Sequence, residues 1–220
     1  MYLIGDIGNT DIKICLFSKD LKLIKQIRIK TYFLNTKYLE KKLKFTKKYK
    51  LKLIKIIKIM VKTREATLKD VDQICSVLVD FYNMKDIAEA ETAFLSEMEK
   101  EFHYIVATQN DKIIGLVTWV PHGLPKHGLF ELDRICILSD ARGKGVGRIL
   151  VDELIANADT WYAELGHSIR KLYILTHESN VNAHKFYEKI GFKHETTLKD
   201  HYYKDQDERV YAKFFEKRKL

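Results

Sequence analysis

A glycine-rich turn between a predicted strand and a predicted helix is the stretch of this sequence whose residues best suit binding chemistry. It reads Arg142-Gly-Lys-Gly-Val-Gly147, with the strand-like run 130–138 before it and a helical pattern from residue 148 after it. Glycines let a backbone come close to a ligand, and the first turn of a helix has N–H groups without partners inside the helix. The stretch therefore predicts an anion-binding turn.

Two common phosphate-binding motifs do not fit this turn. A nucleoside-triphosphate loop needs a glycine, four further residues and then Gly-Lys-Ser/Thr, whereas here Gly145 follows Lys144. A dinucleotide-binding turn needs Gly-x-Gly-x-x-Gly and an acidic residue at the end of a neighbouring strand, and the sequence has neither this spacing nor such a residue. Both classes of nucleotide site are excluded.

The order of residues in the turn instead resembles the acetyl-CoA-binding turn of the GNAT superfamily of N-acetyltransferases, Arg/Gln-x-x-Gly-x-Gly/Ala. Arg142, Gly145 and Gly147 occupy its fixed positions. Downstream, the run from Asn180 to Phe192 resembles the second GNAT signature, Asn-x-x-Ala-x-x-Phe/Leu-Tyr-x-x-x-Gly-Phe, at every fixed position. Two ordered motifs at the family's spacing predict a GNAT N-acetyltransferase domain over residues 60–220.

This resemblance implies acetyl-CoA as a co-substrate. Its pyrophosphate would lie over the turn and its pantetheine arm between the strands that end near Leu138 and Thr176, where parted strands leave backbone groups unpaired. Asn180 would bind the pantetheine or thiol region. The predicted acetyl-CoA-binding residues are Ile135, Cys136, Ile137, Arg142, Gly143, Lys144, Gly145, Val146, Gly147, Arg148 and Asn180.

Direct transfer to an amine requires a base for the acceptor and a proton donor for the departing thiolate. Glu131 and Asp133 are two residues apart on one strand and so share a face, where either is a candidate base. A salt bridge to Arg134 or to a nearby lysine is the structural alternative. The family resemblance implies that Tyr187 is the proton donor, and a buried core tyrosine is its alternative. Cys136 is a candidate acyl carrier or, as its alternative, a small buried hydrophobic residue.

The N-terminus resembles a different family. Asp6, Gly8, Asn9, Thr10 and Lys13 match the Asp-x-Gly-Asn-Thr-x-x-Lys hairpin of type III pantothenate kinases, which surrounds the phosphates of ATP. The resemblance ends after about thirty residues, and the Lys-rich sequence that follows encodes no second kinase lobe. We therefore interpret residues 1–59 as a truncated kinase-like β-hairpin followed by a basic linker. A pantothenate kinase fragment is the first alternative function.

The charge of the chain is unevenly distributed. Residues 1–60 carry 16 Lys and Arg against 4 Asp and Glu, while residues 61–220 carry 23 against 26. A CoA-sensing or nucleic-acid-binding adaptor that uses the basic segment is the second alternative, although a solvated linker is the expectation and nucleic acid is not the expected partner. The expected partner is a small-molecule or peptide amine. Oligomeric state is left open, with a homodimer as one expectation.

Three widely spaced cysteines, without a Cys-x-x-Cys pair, predict neither a disulfide framework nor a metal site. With no apolar run near 18 residues and no signal-peptide pattern at the start, we expect a cytoplasmic protein without a membrane span.

The elements that position the candidate site follow from the hydrophobic pattern. Apolar residues at helical spacing predict a helix from Val71 to Tyr82, capped by Thr67 and Asp70, and a second over 89–100. Strands are expected over 103–108, 112–120, 130–138, 171–176, 192–199 and 209–215, with helices from the glycine turn to about 165 and over 182–189. The predicted fold is α+β, with a mixed, mostly antiparallel sheet flanked by helices on both faces.

Overall fold

A computed structural model describes residues 2–7, 11–17, 23–30, 61–82 and 84–216. The chain divides into two compact units. One comprises Met1–Met60 with Gly143–Gly145, and the other comprises Val61–Arg142 with Val146–Leu220.

The first unit contains a three-stranded antiparallel sheet in the order β1-β2-β3, formed by Tyr2–Ile7, Asp11–Phe17 and Leu23–Lys30. The first two strands form the predicted hairpin, in which Asp6 stands opposite Lys13. The third strand was not predicted, because its lysines and arginine led us to assign it to the basic linker. The Gly8-Asn9-Thr10 turn and residues 31–60 lie outside the described residues, so the kinase-like site stays a prediction.

The second unit is built on a seven-stranded sheet in the order β4-β5-β6-β7-β8-β10-β9. Its neighbouring strands are antiparallel except for the parallel pair β7 and β8. The strands are Lys62–Glu65 (β4), His103–Gln109 (β5), Lys112–His122 (β6), Leu129–Ile137 (β7), Lys171–His177 (β8), Lys193–Tyr203 (β9) and Gln206–Phe214 (β10). The helices are Val71–Phe81 (α1), Ile87–Glu99 (α2), Val146–Glu164 (α3) and Val181–Lys189 (α4). The predicted α+β fold is confirmed.

Two apolar cores lie on opposite faces of this sheet. Trp119, Phe130 and Leu172 point to one face, where they pack with Leu150 and Leu154 of α3. The other face is covered by α1 and α2, and its core consists of Ile74, Leu78, Phe94, Val106, Leu116 and Cys136. The central strands β5, β6 and β7 contribute to both cores, since successive side chains of a strand point to opposite faces.

The start of α1 is fixed by the polar residues that the sequence pattern indicated. The backbone N–H of Thr67 donates to a carboxylate oxygen of Asp70 at 2.8 Å, and Arg64 of β4 donates to both oxygens of the same carboxylate at 2.7 Å. These bonds lower the pKa of Asp70 to about 2, with the Arg64 contact as the largest cause. The cap thereby ties the first helix to the edge strand of the sheet.

Candidate active site

The parallel strands β7 and β8 are paired over only a short length. Their register joins Leu129, Phe130 and Glu131 to Lys171, Leu172 and Tyr173, respectively. Beyond these pairs β7 continues to Ile137 and β8 to His177, without a further pair between them. The backbone of β7 from Leu132 onwards therefore keeps an edge that is not paired with β8, as expected for strands that part around a ligand.

A β-bulge lies at the point where these strands part. Trp119 of β6 pairs with Leu132 and Thr118 with Arg134, so that Asp133 is an extra residue in β7. The hydroxyl of Thr118 donates to Asp133 Oδ2 at 3.1 Å, and it accepts a bond from the Arg134 N–H at 3.0 Å. The bulge brings Arg134 to the same face as Glu131, because Thr118 and Val120, their partners in β6, share a face.

Glu131 is the last residue of β7 that pairs with β8, and its side chain has two partners. One of its oxygens, Oε2, lies 2.8 Å from His122 Nε2 and accepts a hydrogen bond from the Tyr173 hydroxyl at 2.9 Å. Burial, and then the charge and hydrogen bond of Glu131, raise the pKa of Tyr173, so this tyrosine stays protonated and acts as a donor. The carboxylate is thus held in one orientation by residues of β6 and β8.

Asp133 belongs to a second polar group, which lies beneath α2. Arg134 contacts Asp133 at 3.5 Å and pairs with Glu97 of α2, which also accepts a bond from the Tyr104 hydroxyl. Burial is the largest cause of a raised pKa at Asp133, and Arg134 opposes it. The predicted salt bridge to Arg134 is present, and yet the pKa of the carboxyl is still above its ordinary value.

Tyr187 of α4 is buried against Phe186, Phe192 and Tyr211. Burial, followed by the electrostatic effect of nearby Cys136, raises the pKa of Tyr187. The hydroxyl therefore remains protonated at neutral pH. This permits hydrogen-bond donation, although a raised pKa also makes full transfer of the proton less favourable.

Cys136 is fully buried in the core beneath α1. Burial raises the pKa of its thiol to about 12, against the smaller, opposite effect of a hydrogen bond with Tyr82. A thiol with this pKa is protonated at neutral pH and is a poor nucleophile. These features favour its interpretation as a small buried hydrophobic residue.

The glycine turn connects a short 3-10 helix, Ser139–Ala141, to α3. Gly143 and Gly145 have φ angles of 71° and 78°, which are left-handed values that favour glycine. Arg142 donates from Nε to the Ile137 carbonyl at 2.9 Å, and its guanidinium lies 4.9 Å from the centre of the Phe81 ring. Arg142 is nevertheless exposed, and so are Lys144 and Arg148.

Gly147 has a different role from the glycines of the turn, because it is buried at the start of α3. A Cβ atom at this position would stand 2.9 Å from Ile137 Cδ1 and 3.0 Å from Phe186 Cζ. The absence of a side chain therefore lets the first turn of α3 approach β7 and α4 closely.

Asn180 caps α4, and its side-chain oxygen accepts a hydrogen bond from the Ala183 N–H at 3.2 Å. This local role accounts for the asparagine in structural terms, besides the contact with acetyl-CoA that the family resemblance implies.

Further acidic and aromatic residues lie on the face that carries Glu131. Glu208 of β10 is 2% exposed, and it pairs in register with His177 of β8, whose Nδ1 lies 2.5 Å from its carboxylate. Burial, and then the charges of Glu131, Asp133 and Glu208, raise the pKa of Tyr202 in β9. The negative charges of three carboxylates therefore act together on the surroundings of Tyr202.

Sequence reasoning missed two of the residues in this arrangement. Neither Tyr173, which falls within the predicted strand 171–176, nor His122 is among the predicted site residues. Both are revealed by the register of three strands, which no local pattern in the sequence records.

Two features of the described residues lie apart from the candidate site. A cavity of about 370 Å³ along α3 is lined by none of the predicted site residues, but by Asp152, Ile155, Ala156, Asp159, Ser168, Ile169, Phe215 and Glu216. Among the helices of the described ranges, none is both long and apolar enough to cross a bilayer.

Comparison with known proteins agrees with this geometry. Residues 100–194 match the family model for an acetyltransferase (GNAT) domain. Residues 100–194 therefore correspond to a GNAT acetyltransferase domain, and they include both of the motifs that resemble this family.

One curated relative is an N-acetylaspartate synthetase from Xenopus tropicalis, which is 28% identical over 116 residues. That alignment covers 53% of this chain and 39% of the relative, so the chain spans well under half of the length of the relative.

Two solved structures share the fold. The ribosomal-protein-S18-alanine N-acetyltransferase of Escherichia coli superposes with a TM-score of 0.58 at 18% identity, covering 73% of this chain and 99% of that one. An aminoglycoside 6'-N-acetyltransferase complexed with coenzyme A gives a TM-score of 0.58 at 18% identity, covering 71% of this chain and 98% of that one.

Proposed function

We propose that residues 60–220 form an acetyl-CoA-dependent N-acetyltransferase that moves an acetyl group directly to a primary amine. The observation that carries this proposal is the opening between β7 and β8, which begins at Glu131 and Tyr173. Next to the unpaired backbone of β7 lies the carboxylate of Glu131, whose orientation is fixed by His122 and Tyr173. The parted strands offer a place for the acyl donor, and the oriented carboxylate offers a base for the acceptor, so that both substrates can be held together for direct transfer.

The residues proposed to hold acetyl-CoA lie along β7 and at the start of α3. The unpaired edge of β7 over Ile135–Ile137 offers backbone hydrogen bonds to an amide-rich arm. The N–H groups of Val146 and Gly147 begin a helix of 19 residues, whose N-terminus favours a negatively charged group. Arg142, Lys144 and Arg148 supply positive charge next to that terminus.

The proton chemistry is divided among three side chains. Glu131 and Asp133 are the candidate bases, because the acceptor must lose a proton before its nitrogen attacks the thioester carbonyl. The raised pKa of Asp133 brings this carboxyl closer to the pKa of an amine, while Glu131 has the better-defined orientation. Tyr187 donates a hydrogen bond to the sulfur as the carbon–sulfur bond breaks.

The acceptor is proposed to be a cationic amine on a small molecule or a peptide. Glu131, Asp133 and Glu208 all act electrostatically on Tyr202, and this concentration of negative charge attracts a protonated amine. Relatives with this fold are named for different acceptors, which include a ribosomal-protein alanine and an aminoglycoside. The fold alone therefore does not select one acceptor.

The proposal is tested by measuring CoA release with a thiol reagent across a panel of amines. The panel contains spermidine, aspartate, an aminoglycoside and a peptide with an N-terminal alanine. At least one amine should give acetyl-CoA-dependent turnover, and Glu131→Gln should reduce it. The exposed Asp152→Asn variant is the matched control and should keep the wild-type rate. If the folded wild-type chain neither binds acetyl-CoA nor releases CoA with any of these amines, the proposed function is wrong.

A further inference from the structure

We propose that His122 receives the acceptor's proton from Glu131 and passes it to solvent. This inference rests on the proposed acetyltransferase function and goes beyond it, since it assigns a proton exit to a residue outside the two family motifs. His122 is the last residue of β6, and it stands opposite Leu129 at the start of β7.

The hydrogen bonds at Glu131 leave one oxygen available to the acceptor. His122 Nε2 and the Tyr173 hydroxyl both lie against Oε2, at 2.8 and 2.9 Å. Within the described part of the chain, Oε1 has no hydrogen-bond partner. A carboxylate arranged in this way can take a proton from a substrate at Oε1, and a half-turn of the resulting carboxylic acid about its Cγ–Cδ bond then brings the new O–H group to His122.

Glu131 and His122, the two residues of the proposed proton path, differ in their exposure to solvent. The side chain of Glu131 is 14% exposed and that of His122 is 40% exposed. His122 therefore connects a shielded carboxylate with bulk water. Besides Glu131, the titratable groups that face this path include Asp133 of β7, on which the charge of Glu131 also acts, and Tyr173 of β8, whose ring centre is 5.5 Å from that of His122. The charge of Glu131 also reaches Tyr202 of β9.

The relay moves one proton in three balanced steps. The N–H bond of the ammonium breaks as an O–H bond forms on Glu131. After the carboxylic acid has turned its O–H group toward His122, that O–H bond breaks as an N–H bond forms at Nε2 of the neutral Nδ1–H tautomer of His122. The proton on Nδ1 then leaves to water, and proton exchange with water restores this tautomer. An imidazole is in general a stronger base than a carboxylate, so the second transfer runs from Glu131 to His122.

Two substitutions separate proton transfer from simple positioning of Glu131. His122→Ala removes the imidazole and leaves space, whereas His122→Gln keeps a hydrogen-bond donor near Oε2 but cannot relay a proton. With the best amine of the panel, both variants should lower kcat/KM at neutral pH by roughly ten- to a hundredfold. Added imidazole should restore His122→Ala in part, and the deficit should shrink as pH rises, because free amine becomes abundant. His167→Asn, in the loop after α3, is the matched control and should match the wild type.

The outcomes distinguish the relay from the function on which it rests. Wild-type recovery in His122→Gln, together with no effect of imidazole on His122→Ala, would show that His122 only positions Glu131 and would overturn the relay. In that case turnover by the wild type would still support the acetyltransferase. No turnover by the wild type with any amine would overturn the proposed function and the relay together.

Discussion

At the scale of single residues, the hydroxyl of Tyr187 gives the most specific test of direct transfer. Tyr187→Phe keeps the ring and its packing against Phe192 and Tyr211 but removes the only polar atom of the side chain. We expect acetyl-CoA to bind with unchanged affinity, while kcat falls by roughly ten- to ten-thousand-fold if general-acid assistance has its usual size. Equilibrium binding and steady-state kinetics measure the two effects separately.

Tyr162→Phe is a matched control for this substitution. Tyr162 is also a buried tyrosine, but its hydroxyl donates to the Leu129 carbonyl at 2.6 Å. Its loss should lower the melting temperature with little change in kcat. An unchanged kcat for Tyr187→Phe, measured where chemistry limits turnover, would mean that the thiolate leaves without this donor.

For Asp133 we expect that one substitution changes stability and activity in opposite directions. Its folded pKa is raised, with burial as the largest cause, so the folded protein binds the proton more tightly than the unfolded chain does. The charged carboxylate therefore destabilises the fold at neutral pH. Asp133→Asn should raise the melting temperature at pH 7, and this gain should diminish as pH falls through the folded pKa of Asp133, because the wild-type residue then becomes neutral. Activity should fall in the same variant if Asp133 is the base.

Thermal unfolding at several pH values tests this expectation. Asp152→Asn, which removes only an exposed pair with Arg148 at 3.5 Å, should leave the melting temperature nearly unchanged. A lower melting temperature for Asp133→Asn at pH 7 would mean that its contacts with Thr118 and Arg134 outweigh the cost of burying its charge.

The sequence predicted individual residues better than it predicted their partners. Thr67 and Asp70 were recognised because a helix cap depends on residues three positions apart. The contact of Glu131 with Tyr173 joins positions 42 residues apart, and it depends on the parallel register of two strands. Such a register is set by the packing of the whole sheet, so no local spacing could have indicated it.

At the scale of secondary-structure elements, the approach of α3 to β7 depends on Gly147. A Cβ atom here would lie within 3.0 Å of both Ile137 and Phe186, and relief of that contact moves the helix N-terminus away from the parted strand. Gly147→Val should therefore raise the KM for acetyl-CoA much more than the KM for the amine. Initial-rate kinetics with each substrate varied in turn measures the difference.

Ala163→Val is the control for Gly147→Val, because it places the same side chain at an exposed position near the other end of α3. Both KM values should stay at their wild-type level in this variant. An unchanged KM for acetyl-CoA in Gly147→Val would remove the start of α3 from the proposed binding site.

The existence of the elements in the second unit was predictable, whereas the irregularity at its centre was not. Every predicted helix and strand from residue 62 onwards is present, because long apolar periodicities fix the type of element. The bulge at Asp133 was not predicted, since alternation along a strand assumes regular pairing. It brings Arg134, and not only the two carboxylates, to the face of the candidate site.

At the scale of the whole molecule, the two parts of the chain have opposite charge. The N-terminal 60 residues have a large excess of lysine and arginine, and the remaining 160 have a small excess of acidic residues. A basic segment of this kind is attracted to polyanions in a salt-dependent way, whereas an acidic unit attracts cationic substrates. The proposed acetyl transfer requires only the second property.

A chain that begins at Met60 should therefore fold and retain activity. All seven strands of the larger sheet and both of its apolar cores lie between Val61 and Phe215. We expect a cooperative thermal transition and a kcat/KM within about a factor of two of the full chain, since no proposed catalytic residue is removed. Circular dichroism and the CoA-release assay measure the two properties.

A chain that begins at Thr67 is the matched control. It also lacks β4, and with it the bond from Thr63 to Glu153 at 3.0 Å and the ion pair of Arg64 with Asp70 at 2.7 Å. The buried Asp70 carboxylate would lose its strongest partner, so the melting temperature should fall clearly below that of the chain from Met60. If the chain from Met60 were itself unfolded, the N-terminal segment would be part of the fold; if it were folded but inactive, residues 1–59 would contribute to substrate recognition.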